Sequence, residues 1–360
     1  MAEQGVTAPV GAQADTEPTA PFLRACRGLP VDRTPVWLLR QAGRYQPEYR
    51  ALREKHSLLE IIRTPELAAE VTLLPVDAFG LDAAIVFSDI LPPLVGMGLD
   101  VGFAKGDGPK IANPISSTRD VDLLGVPPAE ETMAGTLAAI ALVRDELESR
   151  DVPVIGFAGA PFTLASYAIE GGTSKDFSRT RAFMFSEPAA WRRLLGKLVT
   201  VQADYLAAQV QAGAQALQVF DSWAGRALGR EDYLRYVAPH NQELFARIAD
   251  AGVPVINFSL GVSAYLAEAA ACGGGVVGLD WTLPLDEAWE LLGFDRPVQG
   301  NLDPASLLAP WRELAFRIDD ILDRAGGRPG HVFNVGHGLV PQTPVENVRR
   351  LVEHVRERTS

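Results

Sequence analysis

Residues 191–222 read WRRLLGKLVTVQADYLAAQVQAGAQALQVFDS, and the change of pattern inside them decides the fold. Trp191–Ala212 carries apolar residues at helical spacing, whereas Ala216–Ser222 (ALQVFDS) is a short apolar run of strand length. A helix therefore feeds a strand. Working outward, the same strand-like unit recurs. PVWLL lies at Pro35–Leu39, AAIVFS at Ala83–Ser88 and PVIGFAG at Pro153–Gly159. Downstream come PVINFS at Pro254–Ser259, VVGLDW at Val276–Trp281, PVQGNL at Pro297–Leu302 and HVFNVG at His331–Gly336. Helical patterns separate them, Tyr265–Ala271 among them, and Val345–Arg356 (VENVRRLVEHVR) follows the last. Apolar strands alternating with helices make a parallel sheet covered on both faces. Eight such units predict an α/β fold, a single (β/α)8 TIM barrel. The rival is a doubly wound open sheet. It would want a glycine-rich phosphate turn after the first strand, and RQAGRY at 40–45 is not one.

Pro35, Pro153, Pro254 and Pro297 each open a run, a position where proline loses no ladder bond. The chain has 360 residues, and residues 21–360 are expected to form one barrel domain behind a disordered tail at 1–20. Its net charge of −12, from 45 acidic and 33 basic residues, argues against a nucleic-acid groove or a basic membrane face. A local arginine cluster can still oppose that sign. Two cysteines, Cys26 and Cys272, form no CxxC pair and suit a reducing compartment. No signal-peptide pattern opens the chain and no apolar run reaches about 18 residues, so a cytoplasmic protein is expected.

Barrel active sites lie at the carboxyl ends of the strands, and polar residues gather there. Arg40 and Arg44, separated by Gln41, Ala42 and Gly43, present planar guanidinium forks suited to carboxylate or phosphate. A solvated pair, or a salt bridge to Glu48, is the plainer alternative, and Gly43 favours a loop over a helix. Asp89 reads evenly as a structural group, a helix cap or a buried arginine partner, or as a carboxylate held near the arginines to face a cationic or N–H-rich group. His337 lies between Gly336 and Gly338, which would let a ligand approach the backbone. Tyr167 reads as a core ring or a cleft residue, and Ser222 as a cap or a cleft residue. Gly273-Gly274-Gly275 sits at the wrong end of the barrel for a phosphate cradle and reads as a turn. No HxxxH, HxC, CxxC, GxSxG or P-loop pattern is present, so no metal site is expected.

The motifs together resemble one family. PVWLLRQAGRYQPEY at 35–49 closely resembles the amino-terminal signature of the uroporphyrinogen decarboxylases, and GFAGAPFTLASYAIEG at 156–171 resembles their second. FSDIL at 87–91, FDSWAG at 220–225 and NVGHG at 334–338 also match, in family order. Leu39 stands where Met is common and Val335 where Leu is common. The resemblance runs from about Pro21 to the last helix.

That resemblance implies a (β/α)8 homodimer that decarboxylates the four acetates of uroporphyrinogen III, using no metal or organic cofactor. It implies catalytic roles for Asp89 and Arg40. It implies substrate binding by Arg40, Gln41, Ala42, Gly43, Arg44, Asp89, Tyr167, Ser222 and His337. Such a tetrapyrrole needs cations at the rim and apolar walls below. Phe157, Phe162, Phe220, Trp223 and the Ile90-Leu91-Pro92 turn are the candidates for those walls. Competing readings are a zinc-dependent methyltransferase of a related barrel, for which Cys272 lacks ligand partners, a non-catalytic porphyrin-binding barrel, and a sugar-phosphate barrel enzyme.

Overall fold

The structure, a computed structural model, describes residues 18–103 and 108–360. Strand β1 (Ala84–Ile85) is followed in the chain by an antiparallel hairpin of β2 (Val101–Phe103) and β3 (Pro109–Ile111), which sequence reasoning missed. Then come β4 (Val154–Gly159), β5 (Ala216–Asp221), β6 (Val255–Ser259), β7 (Val276–Gly278), β8 (Val298–Leu302) and β9 (His331–Val335). Leaving the hairpin aside, β1 and β4 to β9 are hydrogen-bonded in that order as one curled sheet of seven parallel strands. Strands β4, β5, β6, β8 and β9 are almost wholly buried, as strands sandwiched between a barrel interior and a helical layer must be.

The eighth position is filled without a regular strand. In the predicted first run, Pro35–Leu39, Val36 makes one parallel bridge to Phe333 of β9. On its other side the Val36 carbonyl accepts from the Asp82 amide at 2.9 Å, and the Asp82 carboxylate accepts from the Val36 amide at 2.8 Å. The same carboxylate receives two guanidinium bonds from Arg33, at 2.8 and 2.5 Å. The Asp82 side chain thus supplements a few backbone bonds in closing the barrel, where a full ladder would have been expected, and the run is extended but not a regular strand. Inside, the Trp37 indole donates to Gln299 (2.9 Å) and the Gln299 amide donates to Gln218 (3.1 Å), a polar chain across the barrel centre.

The helices follow their sequence signals. Pro188 starts the long helix Pro188–Gln211 at a position where its missing N–H costs nothing, and Pro161 does the same for Pro161–Glu170. Trp311–Ala325 buries Leu314, Ile318, Ile321, Leu322 and Ala325, one helical face. It ends at Gly326 in the left-handed conformation, φ 61°.

The Tyr265–Ala271 pattern is a 3₁₀ turn at Ser263–Tyr265 followed by the helix Leu266–Ala270. The expected tail at 1–20 lies outside the described residues as far as 17. Ala20, at its end, is buried, and the Thr19 hydroxyl donates to Asp151 at 2.8 Å. Both cysteines are free and buried. No helix among the described residues is long and apolar enough to cross a membrane.

Asp82→Ala should lower stability by about 1.5–3 kcal/mol, because charge-assisted bonds are lost and a buried N–H is orphaned. Asp82→Asn should cost less. Denaturant midpoints check this, and an unchanged midpoint for Asp82→Ala would contradict side-chain closure.

Candidate active site

At the carboxyl ends of the strands opens a cleft of about 810 Å³, a size suited to a small-molecule ligand. Its floor is aromatic. Phe157 of β4, Phe220 of β5 and Phe258 of β6 meet edge to face, with centroids 5.6 and 5.8 Å apart. Register places Phe220 directly beside Phe258, while Phe157 pairs with Gln218 of β5.

Above this floor stands a cationic rim. Arg40 and Arg44 emerge from the Pro35–Leu39 segment on a tightly fastened loop. Gln46 exchanges bonds with Gly43, and the Tyr45 hydroxyl donates to the Gln41 carbonyl at 2.6 Å. Arg50 donates to the carbonyls of Arg44 and Tyr45, both at 3.0 Å. Arg40 itself has φ 60°, a left-handed conformation that ordinary side chains rarely adopt. No carboxylate among the described residues forms a salt bridge with Arg40, Arg44 or Arg226, so the alternative bridge to Glu48 does not form.

Asp89 sits low in the cleft, after β1. Its carboxylate accepts from the Leu91 amide at 2.9 Å, ahead of the short helix Pro92–Gly96. Burial pushes its carboxyl above the ordinary carboxylate range, and the Leu91 amide, the Arg40 guanidinium and the Ile90 amide only partly offset that. Tyr167, on Pro161–Glu170, lies over Trp223 with centroids 3.8 Å apart, and Phe177 packs on the other edge of Trp223 at 5.0 Å. Burial, reinforced by the Asp89 charge, raises the Tyr167 hydroxyl, so it keeps its proton. Burial lowers the His337 imidazole, and Arg40 lowers it further, so it is neutral near pH 7.

Of the residues singled out from sequence, Arg40, Ala42, Gly43, Arg44, Asp89, Tyr167, Ser222 and His337 all line the cleft. Gln41 does not. It is wholly buried, its amide donating to the Ala83 carbonyl at 3.1 Å and accepting from the Leu38 N–H at 3.1 Å. Its polar atoms are spent on holding the barrel lip. Phe162 is also no wall residue. It is buried against Trp191, centroids 5.9 Å apart, while Leu91 and Pro92 are buried and do not line the cleft.

Other polar residues at strand ends are fasteners. Asp221 is buried and accepts from Thr163 (2.9 Å) and Ala224 (3.1 Å), while the Ser222 amide donates to the same Thr163 hydroxyl at 3.0 Å. The Asp280 carboxylate accepts from the Gly261 and Thr282 amides. Asn301 donates to the Asp280 and Leu283 carbonyls.

Sequence reasoning missed Arg50, Arg53, Arg226 and Phe258, which also line the cleft. Arg50 and Arg53 are spaced three apart on Pro47–Lys55, so one helix face carries both. The basic spacing directly behind the Arg40–Arg44 loop was the available signal. Among the described residues, five arginines and two carboxylates, Asp89 and Glu54, therefore line the cleft of a protein whose net charge is −12.

Comparison with known proteins shows the family. The family model described as Uroporphyrinogen decarboxylase (URO-D) matches residues 17–358. A protein named uroporphyrinogen decarboxylase from Chloroflexus aurantiacus is 56% identical over 339 residues, covering 93% of this chain and 95% of its own. One of the same name from Thermus thermophilus is 52% identical over 336 residues, covering 93% and 97%. Among solved structures, a methyltransferase from Methanosarcina mazei superposes with a TM-score of 0.80 at 20% identity, covering 94% of this chain and 98% of its own. That last likeness concerns the fold alone.

Thr163→Val should cost about 1–3 kcal/mol, since Asp221 loses a donor and the Ser222 amide an acceptor. Chemical denaturation measures it. A neutral substitution would show that the Asp221–Thr163–Ser222 fastening carries no energy.

Proposed function

The chain belongs to the uroporphyrinogen decarboxylase family, and from that membership we propose how its cleft performs the reaction. The protein is a decarboxylase of haem biosynthesis. The substrate, uroporphyrinogen III, carries eight carboxylates on an apolar tetrapyrrole. Each of its four acetates becomes a methyl group, giving coproporphyrinogen III.

Loss of CO2 from an acetate needs an electron sink. Protonating the adjacent pyrrole ring carbon supplies one, as a cation delocalised onto nitrogen. The carbon–carboxylate bond then breaks and its electron pair neutralises the ring, leaving an exocyclic methylene. That carbon takes up a proton to become methyl, and the ring proton departs. The net change is one proton in place of CO2.

Asp89 stabilises the ring cation by accepting the pyrrole N–H groups. The observation that carries this assignment is its position: a carboxylate lining the same cleft as Arg40 and Arg44, oriented by the Leu91 amide and close enough to Arg40 and Tyr167 to interact with them electrostatically. A preorganised charge in a water-poor site is commonly the strongest single contribution to lowering a barrier. Arg40 and Arg44 hold substrate carboxylates, joined by Arg50, Arg53 and Arg226. Arg40 is too weak an acid to donate its own proton. It takes part in proton delivery through a bound water or the substrate's own carboxyl group. Tyr167, Ser222 and His337 orient the substrate, with Tyr167 and His337 both uncharged. No metal or organic cofactor takes part. The zinc-methyltransferase alternative is not favoured: Cys272 is buried at 3.5 Å from the Tyr233 hydroxyl and does not line the cleft. We place the enzyme in the cytoplasm as a homodimer, on family likeness and the buried free thiols.

Asp89→Asn, assayed anaerobically with uroporphyrinogen III and EDTA, should lose about 10²-fold or more in kcat/KM while its melting temperature holds. Retention of near wild-type turnover overturns the role of Asp89. The wild-type pH profile gives a second check. Only ionised Asp89 is active and its pKa is raised, so kcat/KM should fall as pH drops through a value above about 4, the ordinary carboxylate range. An acid limb at or below that range would contradict the burial of this carboxyl.

A further inference from the structure

We infer that Gly338 is a positioning residue for Arg40: the missing side chain at 338 is the slot in which the Arg40 stem lies. This rests on the assignment of Arg40 to substrate binding. A β-carbon built on Gly338 would overlap Cδ of Arg40 and stand 2.6 Å from its Cγ and 2.8 Å from its Nε. Nothing else lies among its nearest neighbours. Gly338 does not adopt a left-handed φ, so its backbone would accept alanine without strain. What glycine supplies here is space.

The approach is built into the barrel. The Leu339 amide donates to the Leu39 carbonyl at 2.9 Å, and the Leu39 amide donates to the Asn334 side chain at 2.9 Å. These bonds draw the exit of β9 across the exit of the Pro35–Leu39 segment. Arg40 then turns back over Gly338 through its left-handed φ of 60°. Two features, a left-handed φ and a slot, act together on one exposed arginine. From that slot its charge bears on Asp89, Tyr167 and His337.

Gly336, two residues earlier, works differently. Its β-carbon would stand 2.5 Å from the Trp281 backbone nitrogen and 2.8 Å from the Asp280 carbonyl carbon, which cannot move aside. The two glycines beside His337 were read from sequence as room for a ligand. In the folded chain one makes room for Arg40 and the other for a neighbouring strand end.

The test is a double-mutant cycle on the full chain. Affinity for reduced coproporphyrinogen III is the main readout, because the product binds without reacting. Gly338→Ala should weaken binding about 10–100-fold, the scale expected when a binding group is misplaced by an ångström. In an Arg40→Ala background, where the stem is gone, the same substitution should change affinity less than about twofold. Equal losses in both backgrounds overturn the inference, as does an unchanged affinity in Gly338→Ala alone. Should Gly338→Ala fail to fold, the Arg40→Ala/Gly338→Ala double variant should regain the wild-type melting temperature. A double variant that also fails to fold overturns the inference. Wild-type turnover of uroporphyrinogen III is measured alongside: its absence would count against the proposed reaction, while the binding cycle would still report the coupling of 338 to 40.

Discussion

A half-buried carboxylate sharing one cleft with a set of guanidinium groups is the constraint on which this site depends. Alone, burial drives Asp89 toward its neutral form. Arg40 and two backbone amides oppose that without reversing it. The balance is left for a ligand to tip. A pyrrole N–H, and still more a protonated pyrrole, supplies the missing positive partner, so the ionised form is favoured when the reacting ring is in place. The same low-dielectric surroundings that raise the pKa of the empty site strengthen the interaction once the cation forms.

Everything that fixes the guanidinium rim lies in how the barrel closes. The first segment does not pair as a regular strand. Asp82 on one side and Asn334 on the other accept its amides through side chains. That leaves the chain free to leave the sheet at Leu39, turn at Arg40 and form the short loop carrying Arg44. Tyr45, Gln46 and Arg50 then lock the loop against its own backbone, and Gln41 ties it to the Ala83 carbonyl. Barrel closure and the loop proposed to bind substrate thus share one stretch of chain.

The barrel was legible because parallel strands buried on both faces leave unbroken apolar runs, and proline marked where several begin. The first run was over-read: an apolar pentapeptide records burial, not pairing. The β2–β3 hairpin escaped because strands of three residues carry almost no periodicity. At the site, the residues to which the resemblance assigned substrate binding fell together on the cleft, apart from Gln41. Its side-chain amide satisfies two backbone groups inside the wall, and a loop polar residue between two arginines gives no sign of that. Phe162 failed for a related reason. A helix next to a strand end presents only one face to the cleft, and Phe162 lies on the other, against Trp191. Arg50, Arg53 and Arg226 were missed because an arginine on a helix is usually solvated, and only the fold turns these three toward one cavity.

Ligand binding should therefore lower the pKa of a carboxyl that burial raises. Calorimetric titration with reduced coproporphyrinogen III measures this most directly. It is run anaerobically on the acid limb of the activity profile, in two buffers of different ionisation enthalpy. The expected result is a proton released on binding to the wild-type protein and absent from Asp89→Asn. The same proton count in both proteins would contradict it.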